Sequence, residues 1–356
     1  MKRLAIFAHY DLKNIIDPYV VSYLEELKKY TSDIIFVSDG DLPESEADKV
    51  KHLSSKTITK KHSSYDFGSY RIGFEYVLND NPQKFQEIDE LLFVNDSCYL
   101  VGDLEEVFTG TSKKDDYDCW GMIDDYHSFN KGIAYYIGSF FIAFRKSVFQ
   151  EKFFIDFIKS TKNFSSRNEI ISKCEFGMSE LLLRNNKKLF AYYNMQKTAR
   201  YIAENHLEIS NDIYRVTEEN SYLGRKKILH SIINDVCNVH TYNYLHSNKF
   251  YVLLKMGFPL IKRRNIQYKS FTRRRLMFLW EEVLRYMGNI HNIDQIKNDC
   301  SRIGTKIKSK KIISSRLNYF LYLLSIARFF YKKRSVSRGR NVIVYKILFF
   351  KIRINV

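Results

Sequence analysis

The chain of 356 residues carries a net charge of +17, is 45% apolar and 15% aromatic, and holds only 4 Pro and 14 Gly. That length can bury one large α/β domain with an appendage, and the composition excludes extended disordered or low-complexity linkers. Five cysteines (Cys98, Cys119, Cys174, Cys237 and Cys300) are odd in number, widely spaced and free of any CxxC pair, which argues against a disulfide framework or zinc ribbon and for a reducing cytoplasm.

The N-terminal run LAIFA (4–8) stops at His9, too short for a signal-peptide core, and reads as a buried parallel strand. Asp17-Pro18 opens a helix whose Val20, Val21, Leu24 and Leu27 share one face. A second strand, IIFVSD (34–39), follows, so strand, helix and strand form a βαβ unit and predict a parallel sheet covered by helices. Further strands are expected at 56–59, 91–96, 119–123 and 139–144, and helices at 70–78, 146–160, 175–186 and 244–256, the last stopped by Gly257 and Pro259. Past residue 265 the composition changes. Leu276, Leu279, Val283 and Met287 mark a helix over 271–287, and the apolar stretch within 316–334, about fifteen residues, is shorter than the ~20 needed to cross a membrane.

Charge divides the chain along the same line. Residues 241–356 hold 26 Lys/Arg against 4 Asp/Glu, whereas residues 1–240 hold 31 against 36. The expected organisation is therefore an α/β domain over 1–265 and a basic, aromatic-rich helical region over 266–356. Such a block meets an anionic membrane surface, or presents a solvated face over a small helical core. Nucleic acid is the weakest of the possible partners, because no base-reading module is present.

Three polar clusters follow predicted strands: His9-Tyr10-Asp11, Ser38-Asp39 and Asn95-Asp96-Ser97. Each alone reads as a turn or helix cap. Together on one rim, at the carboxyl ends of parallel strands, they read as a ligand site. Asp96 is the hard anionic group that a Mg²⁺ or Mn²⁺ ion bridging two phosphates would need, with Asn95 and Ser97 adding neutral oxygens. In YDFGSYRIGF (65–74), Gly68 and Gly73 permit close backbone approach. Asp66 and Arg71 serve either a ligand or a local helix ion pair. The DFG string lacks the kinase companions HRD and a Gly-rich loop. Glu175, Asp124 and Asp125 are the candidates for a general base; Glu175 equally suits the dipole at a helix start. The histidines show no HExxH spacing.

FAHYD (7–11), IIFVSD (34–39), YDFGSYRIG (65–73), LLFVNDSCY (91–99), CWGM (119–122), GSFFIAFRKSVF (138–149), CEFG (174–177) and KMGFPLIKR (255–263) occur in order over about three quarters of the chain. In this ordered set the chain resembles the rhamnan synthesis protein F family, bacterial glycosyltransferases of cell-surface polysaccharide assembly. The resemblance implies a GT-A-like Rossmann-type fold and transfer, often of rhamnose, from a nucleotide-sugar donor to a growing, lipid-linked saccharide at the cytoplasmic face of the inner membrane. It implies that Asp66, Gly68, Asn95, Asp96 and Ser97 line the donor site, to which the reading of the rim and of the 65–74 segment adds His9, Tyr10, Asp39 and Arg71. Trp120 and Gly121 would lie near the sugar or acceptor, and Glu175 would be the base. The sequence departs from the pattern at Asn95-Asp96-Ser97, which has one carboxylate where the usual metal-binding DxD has two. Outside the resemblance, a non-catalytic nucleotide or saccharide binder with a basic docking tail fits the same residues.

Overall fold

Continuous apolar runs that end abruptly in polar residues become strands buried on both faces, as expected where helices cover a parallel sheet. The computed structural model describes residues 1–129, 132–161, 164, 166–216, 250–266, 280–286, 288, 291–303, 331–337, 340–347 and 350–355. Its strands are β1 (Arg3–His9), β2 (Asp33–Ser38), β3 (Lys56–Thr59), β4 (Glu90–Asn95), β5 (Cys98–Leu100), β6 (Cys119–Phe129), β7 (Gly132–Ile137), β8 (Phe141–Arg145), β9 (Leu189–Tyr193) and β10 (Leu260–Lys262). Eight of them form one sheet in the order β3-β2-β1-β4-β8-β6-β7, with β9 also paired to β6. β1 to β4 run parallel, β8 is antiparallel to β4 and β6, and β9 is parallel to β6. This is the mostly parallel, helix-flanked α/β sheet that the resemblance implied. β5 and β10 pair separately, with Lys262 opposite Cys98.

Two apolar layers cover the sheet. On one side α1 (Pro18–Lys28) buries Val20, Tyr23, Leu24 and Leu27 in a cluster with Phe7, Phe36 and Trp120. The short helix α2 (Glu44–Lys51) follows β2. On the other side α3 (Tyr65–Asp80) packs Phe67, Tyr70 and Phe74 with Ile6, Phe93 and Phe154. A Cβ on Gly73 would sit 2.5 Å from Cγ2 of Ile6, so the missing side chain is what lets α3 lie this close to β1.

Several expected bounds shift. α3 begins at Tyr65 rather than residue 70, and β6 continues to Phe129. The helix expected over 146–160 divides into Lys146–Phe149 and Lys152–Ser160. The one expected from 175 starts at Arg167 and passes through a π-helical turn, Ile171–Phe176, before continuing as Gly177–Arg184. A helix over Met195–Val216 was not anticipated. Of the helix expected over 244–256, Phe250–Lys255 is described, and it ends at Gly257 with φ of 87°. Of 271–287, the described part is Trp280–Tyr286, followed by the helix His291–Arg302.

The chain divides into two compact units, Met1–Ile307 and Lys308–Val356, so the first runs past residue 265, where composition changes. In the second, Tyr331–Ser337, Arg340–Ile347 and Phe350–Asn355 form a three-stranded antiparallel sheet. The expected helical character is therefore corrected for these residues. The alternation in FKIRIN has the period of a strand, not of a helix. The apolar stretch read within 316–334 lies, up to residue 330, outside the described residues. Among the described residues no helix is long and apolar enough to cross a membrane.

Candidate functional site

The carboxyl ends of β1, β2 and β4 bring the three polar clusters to one rim. His9 Nδ1 lies 3.0 Å from Ser38 Oγ, and its Nε2 is 3.9 Å from Asp96 Oδ2. Burial depresses the His9 pKa against the opposing pull of Asp96, so the imidazole is held neutral. The backbone N–H of Tyr10 donates to Asp96 Oδ2 at 3.2 Å, while Tyr10 as a whole is 54% exposed. Asp39 accepts the backbone N–H groups of His62 (2.8 Å) and Ser63 (2.9 Å). It thereby clamps the loop before α3, where Ser63 in the loop and Tyr65 at the first position of α3 take left-handed φ values of 53° and 54°, costly for side-chain-bearing residues and common where a site imposes the backbone. Gly68 belongs to the same clamp, since a Cβ there would lie 2.5 Å from His62 Nδ1.

A hydrogen-bonded chain crosses the site. Asn95 Nδ2 donates to Asp66 Oδ2 at 2.9 Å, the Ser97 backbone N–H and hydroxyl donate to Asn95 Oδ1, and Lys262 Nζ donates to Ser97 Oγ at 2.6 Å. Lys262 also lies 4.5 Å over the Phe140 ring. Glu175, inside the π-helical turn, accepts the Ser139 hydroxyl at 3.1 Å. Burial pushes both Asp66 and Glu175 up from the ordinary carboxylate range. Lys262 pulls each back, and for Glu175 the charge of Asp66 adds to the rise. A carboxylate held above its ordinary range binds a proton more readily than a free one, which suits a general base. Single π-turns are themselves frequent at functional sites.

Arg263, next along from β10, donates to both carboxylate oxygens of Asp299 at 3.1 Å and lies 3.8 Å from Asp96 Oδ2, beneath the Tyr19 ring. Although burial opposes its charge, Tyr19, Asp96 and Asp299 hold it firmly protonated. Arg302 spans Asp11 (2.6 Å) and Asp17, tying the helix His291–Arg302 to the loop after β1. None of Lys262, Arg263, Asp299, Arg302 or Ser139 was singled out from the sequence. The Lys262-Arg263 pair closing the KMGFPLIKR segment was the available signal, but its partner Ser97 is 165 residues away.

Other expected residues stand elsewhere. Trp120 is buried against Phe108 and Phe141 and donates its indole N–H to Glu90 at 2.9 Å. It is a core residue, placed there by the apolar face of β6, and does not line a sugar site. Gly121 makes room for Ile137, whose Cγ2 would be 2.1 Å from an added Cβ. Arg71 bonds Glu75 (2.9 Å) and the Thr161 carbonyl (3.2 Å), so its helix ion pair is with Glu75 rather than Asp66. Asp124 accepts the Met195 backbone N–H at 2.9 Å, at the start of a helix, and burial raises it to about 6. Asp125 accepts the Tyr126 backbone N–H at 2.8 Å and the Tyr136 hydroxyl at 3.4 Å. Both have structural partners, which leaves Glu175 as the carboxylate beside the chain from Asp66 to Lys262.

A divalent cation at Asp96 would need several oxygen ligands close about it. Among the described residues no three His, Cys, Asp or Glu side chains gather as a group that could hold one. The Asp96 oxygen on the site side already faces the Tyr10 N–H and the Arg263 guanidinium. The protein's own donor set is therefore short of ligands for the metal, with one carboxylate and one of its oxygens already engaged.

A family model described as rhamnan synthesis protein F matches residues 34–251. Among solved structures the chain is similar to the glycosyltransferase GlyE of Streptococcus pneumoniae TIGR4, with 14% identity and a TM-score of 0.36 over 88% of this chain and 66% of that one, just under two thirds of its length. It is also similar to a mannose-1-phosphate geranyltransferase of Thermus thermophilus (9% identity, TM-score 0.32, 54% of this chain and 74% of that one). The core-mannan synthase A of Aspergillus fumigatus, in its Mn/GDP form, matches with 9% identity and a TM-score of 0.28 over 44% of this chain and 63% of that one. Likenesses at these scores carry no argument about substrate or metal. No curated protein sequence matches.

Proposed function

Because the chain belongs to the rhamnan synthesis protein F family, we propose that it is a glycosyltransferase moving a sugar, rhamnose in the first instance, from a nucleotide diphosphate to a saccharide hydroxyl. The observation that carries this reading is the half-buried hydrogen-bonded chain Asp66–Asn95–Ser97–Lys262 with Glu175 beside it. It sits at the carboxyl ends of parallel strands, where open α/β sheets bind ligands. In this reading Glu175 takes the acceptor proton as the sugar is attacked, and the rim formed by His9, Tyr10, Asp39 and Asp96 orients the nucleotide. The acceptor is lipid-linked, and the basic C-terminal third, with 26 Lys/Arg against 4 Asp/Glu over 241–356, holds the enzyme to an anionic leaflet at the cytoplasmic face of the membrane.

A thermal-shift panel of thymidine, uridine and guanosine diphosphates and their sugar conjugates tests the reading. A ligand of the native state raises the melting temperature by mass action. Slow release of free sugar from the stabilising conjugate marks a transferase rather than a binder. No shift with any of them at millimolar concentration sinks the proposal. Sedimentation with phosphatidylglycerol vesicles tests the membrane part separately.

A further inference from the structure

We propose that the positive charge for the donor's diphosphate is built into the chain: Lys262 contacts the phosphates in place of a divalent cation, and Arg263 neutralises Asp96 behind it. The inference rests on the reading of the rim as a nucleotide-sugar site.

Departure of a nucleoside diphosphate requires that its developing negative charge be met by a cation already in position. One oxygen of the single carboxylate in the Asn95-Asp96-Ser97 turn is already engaged. Its Oδ2 accepts the Tyr10 backbone N–H at 3.2 Å and lies 3.8 Å from the Arg263 guanidinium. A second cation brought to that oxygen would be pressed against a fixed, buried positive charge. Lys262 is placed differently. Pairing of β10 with β5 sets it opposite Cys98, directly after Ser97, and its ammonium donates to Ser97 Oγ at 2.6 Å over the Phe140 ring. Among the described residues no carboxylate forms an ion pair with it, although its charge is felt by Asp66 and Glu175. Its charge is available to an anion, and its place is the end of the hydrogen-bonded chain that the nucleotide would meet. Arg263 is placed for a different role, because its Nη2 bonds Asp299, its Nη1 faces Asp96 and its guanidinium lies against the Tyr19 ring. Its part is to set the charge and orientation of Asp96.

Calorimetric titration of the full chain with uridine, thymidine and guanosine diphosphate, once in EDTA and once in Mn²⁺, separates the cases. We expect one diphosphate to bind the wild-type protein with the same Kd, within about twofold, in both buffers. K262M should weaken that binding about tenfold or more in both, the loss of one charge-assisted hydrogen bond, and K262R should recover part of it. Binding that appears only with Mn²⁺, or a K262M protein that binds like wild type, overturns the inference and leaves the transferase reading standing. Failure of every diphosphate in both buffers overturns that reading, and the inference with it. The EDTA arm needs no variant, so the outcome does not depend on K262M folding.

Discussion

The two ends of the same strands carry two polar networks of opposite character. At the amino ends, Glu90 is fully buried and saturated. It accepts Arg3 Nε at 2.7 Å and the Trp120 indole N–H at 2.9 Å, with Arg145 Nε at 3.6 Å. Arg3 continues to Ser112 and Arg145 to Tyr117. At the carboxyl ends, Asp66 and Glu175 are half-buried with their ionisation opposed, and the nearby Lys262 is bonded to a hydroxyl rather than to either carboxylate. A network in which every charge has its partner adds rigidity and offers a ligand nothing. One with carboxylates held above their ordinary range and a cation to spare is arranged for a reaction. The difference separates scaffold from site without reference to any relative.

The largest effect that would test this contrast is at the amino end. Glu90→Ala strands two arginines and an indole N–H, and should cost about 3–5 kcal/mol. Urea or thermal melting reads that loss, while nucleotide binding per folded molecule should be unchanged. A mild loss of stability with abolished binding would reverse the assignment of the two ends. At the carboxyl end, Glu175→Gln should lower turnover by about 100-fold or more and leave the melting temperature level or slightly higher, since a carboxyl whose ionisation is opposed by its surroundings is removed. Full activity in that variant removes Glu175 from the chemistry. Wild-type turnover should rise with pH through a limb above the ordinary carboxylate range, because Glu175 acts as a base only when ionised and its burial raises its pKa.

Asp124 sharpens the comparison with a smaller effect. It is raised from 3.8 to about 6 in the folded chain, so the folded state binds more protons than the unfolded state between those values. Stability contributed by this group therefore falls as pH rises through that window. Asp124→Asn, which keeps an oxygen for the Met195 N–H, should gain on wild type between pH 4 and 6 by up to about 2 kcal/mol and hold the gain above. Urea midpoints at pH 4, 5, 6 and 7 check the slope. The smallest effect belongs to Arg71→Ala. Loss of a helix pair with Glu75 and one carbonyl bond should cost less than about 1 kcal/mol, with KM for the donor unchanged. A large rise in KM would return Arg71 to the donor site.

Local pattern made much of this architecture legible. Strands β1, β2 and β4 were visible because each is an apolar run cut off by polar residues, and that cut-off marks where the sheet ends and a ligand can begin. The clusters at His9, Asp39 and Asn95–Ser97 were therefore placed on one rim before any coordinate. Trp120 was misplaced for a physical reason. An aromatic in a short motif looks the same whether it faces a ligand or the core, and only the packing of β6 against Phe108 and Phe141 decides. Arg71 was assigned the wrong partner because both Asp66 and Glu75 lie within helical reach, and the contact with Thr161 selects the outer one.

By itself the sequence determined the α/β class, the order of its early elements, the rim on which chemistry gathers, and the concentration of positive charge in the last third. Each follows from interactions among neighbours in the chain, through periodicity, turn chemistry and charge count. Tertiary structure alone decided which charges meet. Lys262 reaches Ser97 across 165 residues and Arg302 reaches Asp11 across 291. Nothing local encodes such pairs, because they arise where β10 and the helix His291–Arg302 fold back onto the rim. Desolvation there, which no single stretch of sequence reports, is what raises Asp66 and Glu175 above the ordinary carboxylate range.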